Sequence, residues 1–305
     1  MKKLAVAGSL TCLVGLIVFA VALSLCGWDF TKISTRPVYE EKQYSIKSEN
    51  QDIILKDSNV PVFLGVSADD QIHFNYLENK EEFYDFDENN RIIIQKKRNV
   101  KWYQYLVNIN FQQTKFEILL PKNYDGSIEI TTSNAKVAAA DVHLKNLKIG
   151  TSNNGIYLKN ILVAQDVETV SSNGRIEVSG VRVAGEINTK TSNDGIYFNQ
   201  SDAVDLIANT SNGKIVLKTT KSEKNVTCKT SNNRIVVTDL SAGNSIELQT
   251  SNGQIEGSIV GSIGDFTIFS KTSNGKNSLP ENSGSGKKNL RVTTSNSNIA
   301  LRFTD

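Results

Sequence analysis

Residues able to do chemistry are few in this 305-residue chain, and they do not converge. The two histidines, His73 and His143, lie in no recognisable metal or nucleophile motif, so each reads as an ordinary strand or loop residue. Asp141, Asp166, Asp202, Asp239 and Asp265 fall in different parts of the chain without a paired pattern, whereas acid–base cleavage of a polysaccharide needs clustered carboxylates. Glu78, Glu81, Glu82, Asp85, Asp87 and Glu88 form an acidic run. It lacks the regular alternation of a calcium loop and reads as a solvated loop. Trp102, Tyr103 and Tyr105 would suit a carbohydrate platform, or else an aromatic core. These residues point to a protein that is not an enzyme and needs no cofactor or metal. A polysaccharide-active β-helix enzyme is the alternative.

What does recur is a polar triplet. From Ser127 onward a Ser-Asn pair preceded by Thr or Ser appears nine times, with its serine at 133, 152, 172, 192, 211, 231, 251, 273 and 295, at steps of 19 to 22 residues. A fixed period near twenty residues is the mark of a solenoid. Five residues before each serine stands an aliphatic side chain, as in Ile128, Leu147 and Val226. Four residues after it comes Val137 or an Ile, with Asn277 the single exception, and two further on another residue that is mostly apolar. Spacing of two on both sides of a turn predicts two short strands per repeat, each with one buried face.

The turn reads Ser-Asn-Gly in several copies, and the tolerance of Asn and Gly for positive φ supplies a steric reason for it. The asparagines Asn134, Asn153, Asn173, Asn193, Asn212, Asn232, Asn252, Asn274 and Asn296 are expected to stack as a structural ladder rather than to bind a ligand. In sequence order Asn296 belongs to the last rung, with one stacking neighbour. One repeat cannot bury enough to offset the ordering of twenty residues, so the copies must stack.

The elements that frame the repeats follow from composition. Lys2 and Lys3 precede an apolar run from Leu4 to Trp28, about the ~20 residues that a helix needs to cross a bilayer. The lysines place its leading end in the cytoplasm, giving a single-pass membrane protein whose remainder lies outside. Ala20-Val21-Ala22 leaves open a cleaved signal and a secreted product, and Leu23-Ser24-Leu25-Cys26-Gly27 a lipoprotein, although a bulky Leu25 stands where a lipobox has a small residue. Cys12, Cys26 and Cys228 build no disulfide framework or metal site. The charge of +2, from 34 basic and 32 acidic residues, argues against a large footprint for nucleic acid or an anionic polymer.

Four segments result: an anchor or signal at 1–28, a tether at 29–50, a strand-rich cap at 51–125 and β-solenoid repeats at 126–305. The fold expected is all-β, a parallel β-solenoid of about nine rungs behind one transmembrane helix.

The repeats Thr210–Ile215 and Thr250–Ile255, with the lead-in Phe116-Glu117-Ile118-Leu119-Leu120-Pro121-Lys122, resemble the bacterial putative-adhesin family of β-strand-repeat proteins. That family is a domain of unknown function found in cell-envelope proteins, and the resemblance covers roughly residues 50 to 305. It implies a surface-exposed, membrane-tethered solenoid, with some relatives near envelope-stress response systems. The function expected is a non-catalytic binding, adhesin-like or scaffolding module. Its partner would be an envelope protein or cell-wall polysaccharide and the membrane itself through the helix, not nucleic acid.

Overall fold

A computed structural model describes residues 2–25, 27–28, 38–47, 51–99 and 114–304. The chain divides into two compact units. The smaller holds the N-terminal helix with Leu77–Phe83; the larger comprises Lys42–Tyr76, Tyr84–Lys96 and Lys115–Asp305.

In the smaller unit the helix runs Lys2–Leu25. Its stretch Gly8–Leu25 is long and apolar enough to cross a membrane or to serve as a signal sequence. Leu10 and Leu16 are more than half exposed among the described residues, while Leu23 is buried. Elsewhere in this unit Glu82 is buried, accepts the Tyr39 hydroxyl at 2.7 Å and lies 3.6 Å from Arg98.

The larger unit is a parallel β-solenoid. One rung consists of Leu147–Thr151, a tight turn, Ile156–Lys159, a corner, and the short third side Leu162–Val163. The next rung repeats the path directly above it, with Leu147 opposite Val167, Ile156 opposite Ile176 and Leu162 opposite Arg182. Apart from local shifts at Ala203–Asp205 and Val237–Leu240 the register holds, so inward aliphatics meet one another and the core is one continuous column from Ile53 to Leu301. Cys228 belongs to it, between Ala208 and Leu248, and burial pushes its thiol pKa up.

The corner after the second strand carries the backbone strain. Asp141, Asn160, Gly180, Gln200, Thr219 and Asp239 all have φ between 47° and 65°, one residue in each of six successive rungs. The Asn and Gly residues of the Ser-Asn turn do not, which overturns the positive-φ explanation of that motif. Glycine is required there by contact instead: a Cβ on Gly174, Gly213 or Gly253 would lie 1.7–1.8 Å from the carbonyl oxygen of Asn154, Asp194 or Asn233 in the rung below.

At both ends the stacking order departs from the chain order. The first rung, Ile53–Lys56 with Val62–Val66, lies between Ile128–Thr131 with Val137–Ala140 on one side and Ile92–Gln95 with Phe116–Leu120 on the other. It carries the turn's Ser-Asn pair once more, as Ser58-Asn59, with Asp57 in place of the usual Thr. At the far end Lys288–Thr294 inserts between Ser245–Gln249 and Phe266–Thr272. The segments that close the stack are therefore internal ones. His73–Tyr76 runs antiparallel along Phe116–Leu119, and Asn282–Ser283 is a short antiparallel partner for Phe266–Thr272. Both irregular pieces interrupt parallel pairing at an exposed edge. Beneath the first of them Phe74, Tyr76, Tyr84, Phe86 and Phe116 pack with ring centroids 4.7–6.4 Å apart.

The assignment of faces has a direct consequence. Ile215 is fully buried and Lys218 exposed, so Ile215→Asp forces a carboxylate into the core and should lower stability by several kcal/mol, whereas Lys218→Asp should be nearly silent. Thermal melts of the two variants check this; equal midpoints would contradict it.

Candidate binding surfaces

Three polar columns meet at the turn, each generated by the stacking of rungs. The carbonyl of Ser133 accepts the N–H groups of both Ser152 and Asn153, and the pattern repeats rung after rung. The preceding Thr is buried, and its hydroxyl donates to the rung below, as in Thr230 to the Gly213 carbonyl at 2.9 Å. Outside them the asparagine amides form a ladder. Each Nδ2 donates to the Oδ1 below at 2.6–2.8 Å, in the order Asn59, Asn134, Asn153, Asn173, Asn193, Asn212, Asn232, Asn252, Asn296, Asn274. Asn296 is thus an interior member with neighbours on both sides, and Asn274 is the terminal one. The expectation drawn from chain order is overturned here because the last repeat is not the last rung.

From Asn153 onward the residue after the Asn alternates in stacking order: Asn154, Gly174, Asp194, Gly213, Asn233, Gly253, Ser297, Gly275. In one kind of rung the Asx Oδ1 holds the following N–H, as in Asp194 to Gly195 at 2.6 Å. In the other, Gly lies over the carbonyl of the rung below and its N–H bonds to Ser171, Thr210 or Thr250. Chain order would put Gly253 and Gly275 side by side. The alternation is the sequence signal that reveals the exchanged rungs.

A family model described as Toastrack DUF4097 matches residues 50–302. The chain belongs to the Toastrack family. Among solved structures it is similar to a putative cell adhesion protein from Clostridium sporogenes, at 12% identity over 88% of this chain and 100% of that one, TM-score 0.30. It is likewise similar to a putative adhesin from Bacteroides fragilis, at 11% identity over 86% and 97%, TM-score 0.31. A putative lipid binding protein from Parabacteroides distasonis matches at 10% identity over 85% and 96%, TM-score 0.30. No curated protein matches.

Two side faces of the Toastrack stack differ sharply in charge. On the sheet after the turn, the outward positions from Lys136 to Thr238 carry six cations, Lys136, Lys159, Arg175, Lys214, Lys218 and Arg234, against the single carboxylate of Glu177. The nearest corner carboxylates are engaged: Asp141 accepts Asn160 Nδ2, Asp194 the Gly195 N–H, and Asp239 the Ser258 hydroxyl. Near neutrality of the whole chain therefore conceals a basic face. Its aromatics fall on every second rung, Phe63, Tyr157 and Tyr197, with Ala138 and Glu177 between them. Each tyrosine ring leans back over a glycine, and a Cβ on Gly155 or Gly195 would stand 2.7 Å from it. Cations flank the rings: Lys136 lies 4.5 Å from the Tyr157 centroid, Arg175 3.9 Å and Lys214 5.4 Å from that of Tyr197. On this face Arg175 pairs with Glu177 at 2.7 Å and Arg234 with Glu256 at 3.6 Å, and the lysines remain in excess, whereas the sheet before the turn matches its charges more evenly, as Lys148 with Glu168 at 3.1 Å and Lys229 with Glu247 at 3.0 Å.

The third side holds an open groove of about 650 Å³ bounded by Lys122–Asp125 and floored by His143, Leu162, Arg182, Asp202 and Lys221. Arg182 and Asp202 lie 3.7 Å apart, so its central charges are matched. Asp166 and Asp265 accept the backbone N–H groups of Glu186 and Ser262. The five aspartates singled out in the sequence thus take separate local bonds. Of the acidic run, Glu82–Asp87 is a strand, and Glu88 accepts the Tyr44 hydroxyl, a bond that raises the tyrosine pKa. Trp102, Tyr103, Tyr105 and Cys26 lie outside the described residues.

His73 has partners that its sequence context did not reveal. Its Nε2 lies 2.7 Å from Asp69 and its Nδ1 2.7 Å from the Ser45 hydroxyl. In a hydrolytic triad Nε2 serves the nucleophile and Nδ1 the carboxylate; here the order is reversed. Ser45 is exposed on a strand, and neither residue lines the groove. The trio ties neighbouring strands together. Bonds from Ser67 first, then from His73 and the Gln71 N–H, hold the Asp69 carboxyl below its usual value.

Two predictions follow from these bonds. Asn212→Ala removes two amide bonds and should cost about 1 kcal/mol; Asn296→Ala should match it and Asn274→Ala should cost less, as read by denaturant titration of the three. Because the Asp69 pKa is depressed in the fold, its stabilising contribution is present above the ordinary aspartate range and lost as pH falls through the lowered value. An NMR titration should find its midpoint below 3.8, moving upward in Ser67→Ala.

Proposed function

We propose that this chain is a non-catalytic binding module of the bacterial cell envelope, held by its N-terminal helix as a single-pass membrane anchor with the solenoid outside. The observation that carries the reading is the basic, aromatic-studded face of the second sheet. Six cations stand against Glu177 over consecutive rungs; Arg175 pairs with Glu177 at 2.7 Å and Arg234 with Glu256 of the next rung at 3.6 Å, which leaves Lys136, Lys159, Lys214 and Lys218 as the excess. A partner carrying negative charge balances it. Rigid columns suit binding: in-register stacking fixes the side chains before contact, so little ordering entropy is lost on association. The groove, with its charges already paired, has less to gain from a charged ligand.

The orientation rests on Lys2 and Lys3, which lead the apolar run, and on its length beyond that of a signal-peptide core. A link to envelope stress fits such a placement, with ligand occupancy outside reporting on the state of the wall.

Two measurements test the reading. Protease added to intact, wall-stripped cells should digest the repeat region without permeabilisation; survival until the membrane is opened would reverse the topology. In co-sedimentation with purified envelope fragments, the double change Arg175→Glu and Lys214→Glu should abolish binding, while Thr227→Glu on the other sheet should leave it intact. Equal retention of both variants would remove the basic face from the function.

A further inference from the structure

The spacing on the basic face narrows the partner. Within the column that leads into the second sheet, Lys136, Arg175 and Lys214 recur at every second rung, and Gly155 and Gly195 occupy the rungs between; Arg234, in the rung next to Lys214, ends the alternation and pairs with Glu256 at 3.6 Å. The tyrosine rings fill the space above those glycines, so cation and ring alternate along the stack in the order Lys136, Tyr157, Arg175, Tyr197, Lys214. With ~4.8 Å between strands, the cations repeat at twice that spacing. This is the length scale of one disaccharide in an extended, equatorially linked glycan. A nucleic acid strand instead presents a charge every ~3.4 Å, more than twice as densely as these cations.

Resting on the binding reading above, we infer that the basic face binds an extended acidic polysaccharide with one carboxylate in each disaccharide, lying along the solenoid axis. The carboxylates meet Lys136, Arg175 and Lys214 in turn; Arg175 Nε lies 2.7 Å from Glu177, so the ligand takes the remaining N–H groups of that guanidinium. The intervening sugars lie against the exposed edges of Tyr157 and Tyr197, where C–H groups and hydroxyls find an apolar ring and a phenol. The same two-rung period appears in the turn, where Asx and Gly alternate, so the periodicity of the ligand site is built into the packing of the rungs.

The test uses the full chain in zwitterionic detergent and defined oligosaccharides. Hyaluronan fragments, with a carboxylate on every second sugar, should bind with affinity that rises by disaccharide steps and levels off once three carboxylates are spanned. Added salt should weaken binding. Neutral chitin oligosaccharides of equal length should bind at least tenfold more weakly. The triple variant Lys136→Gln, Arg175→Gln, Lys214→Gln should lose about tenfold or more for hyaluronan with an unchanged melting temperature, and Tyr157→Ala with Tyr197→Ala a similar factor. Equal affinity for hyaluronan and chitin, or unaltered binding by the triple variant, would overturn the inference. So would stronger binding to polyphosphate, single-stranded DNA or phosphatidylglycerol vesicles. Envelope binding that depends on Arg175 and Lys214 but occurs without affinity for hyaluronan would sink the ligand class and leave the binding reading standing.

Discussion

Parallel strands hydrogen-bonded rung to rung in constant register are the constraint on which the molecule depends. Outside the two local bulges, residues of one rung sit over their counterparts in the next, so a side chain that fits once must fit a copy or a complement of itself. Aliphatics satisfy this by dispersion and become the core column. Asparagine satisfies it because its amide is donor and acceptor at once, and the same bond repeats from Asn59 to Asn274. Charges do not satisfy it with like neighbours. On one sheet they alternate in sign and pair; on the other tyrosines and glycines separate Lys136, Arg175 and Lys214 in the leading column, and Arg234, next to Lys214, pairs with Glu256.

Close approach explains features that conformational preference does not. The glycines after Ser-Asn have ordinary negative φ, and they are glycines because the neighbouring rung's carbonyl occupies the space of a side chain. A rung with its carbonyl turned up requires a rung with no Cβ above it, and the structural repeat becomes two rungs. The left-handed backbone lies at the other corner, on Asp141, Asn160, Gln200, Thr219 and Asp239 as well as on Gly180. Non-glycine residues bear the cost of that conformation there because hydrogen bonds on both edges fix the backbone on either side.

The ends obey the same constraint by a different route. A stack of parallel strands leaves two open edges, and a chain terminus at either would fray. Inserting the first and last repeats one place inward gives each of them bonds on both sides, and passes the exposed edges to internal segments with antiparallel partners. The irregular stretch from Phe266 to Lys288 is the excursion that makes this exchange at the far end.

The solenoid, its period, its inward residues and the polar triplet at its turn were legible in the sequence, because each depends on local spacing that stacking repeats. The apolar helix was legible for the same reason: composition alone meets the length of a bilayer. Ser58-Asn59 shows the limit of pattern reading, since Ile53, Val62 and Leu64 match the template and Asp57 alone departs from it. Asp57 nevertheless does the work of the missing Thr, accepting the N–H groups of Ser58, Asn59 and Val60. The tertiary structure alone decided the order of the rungs, the neighbours of Asn296 and the segregation of charge. A net charge of +2 is a sum over the chain, whereas the basic face is a sum over one side of it, and only the winding assigns residues to sides. Likewise the bonds joining Ser45, Asp69 and His73 arise where strands distant in the chain become neighbours, a juxtaposition on which local spacing carries no information.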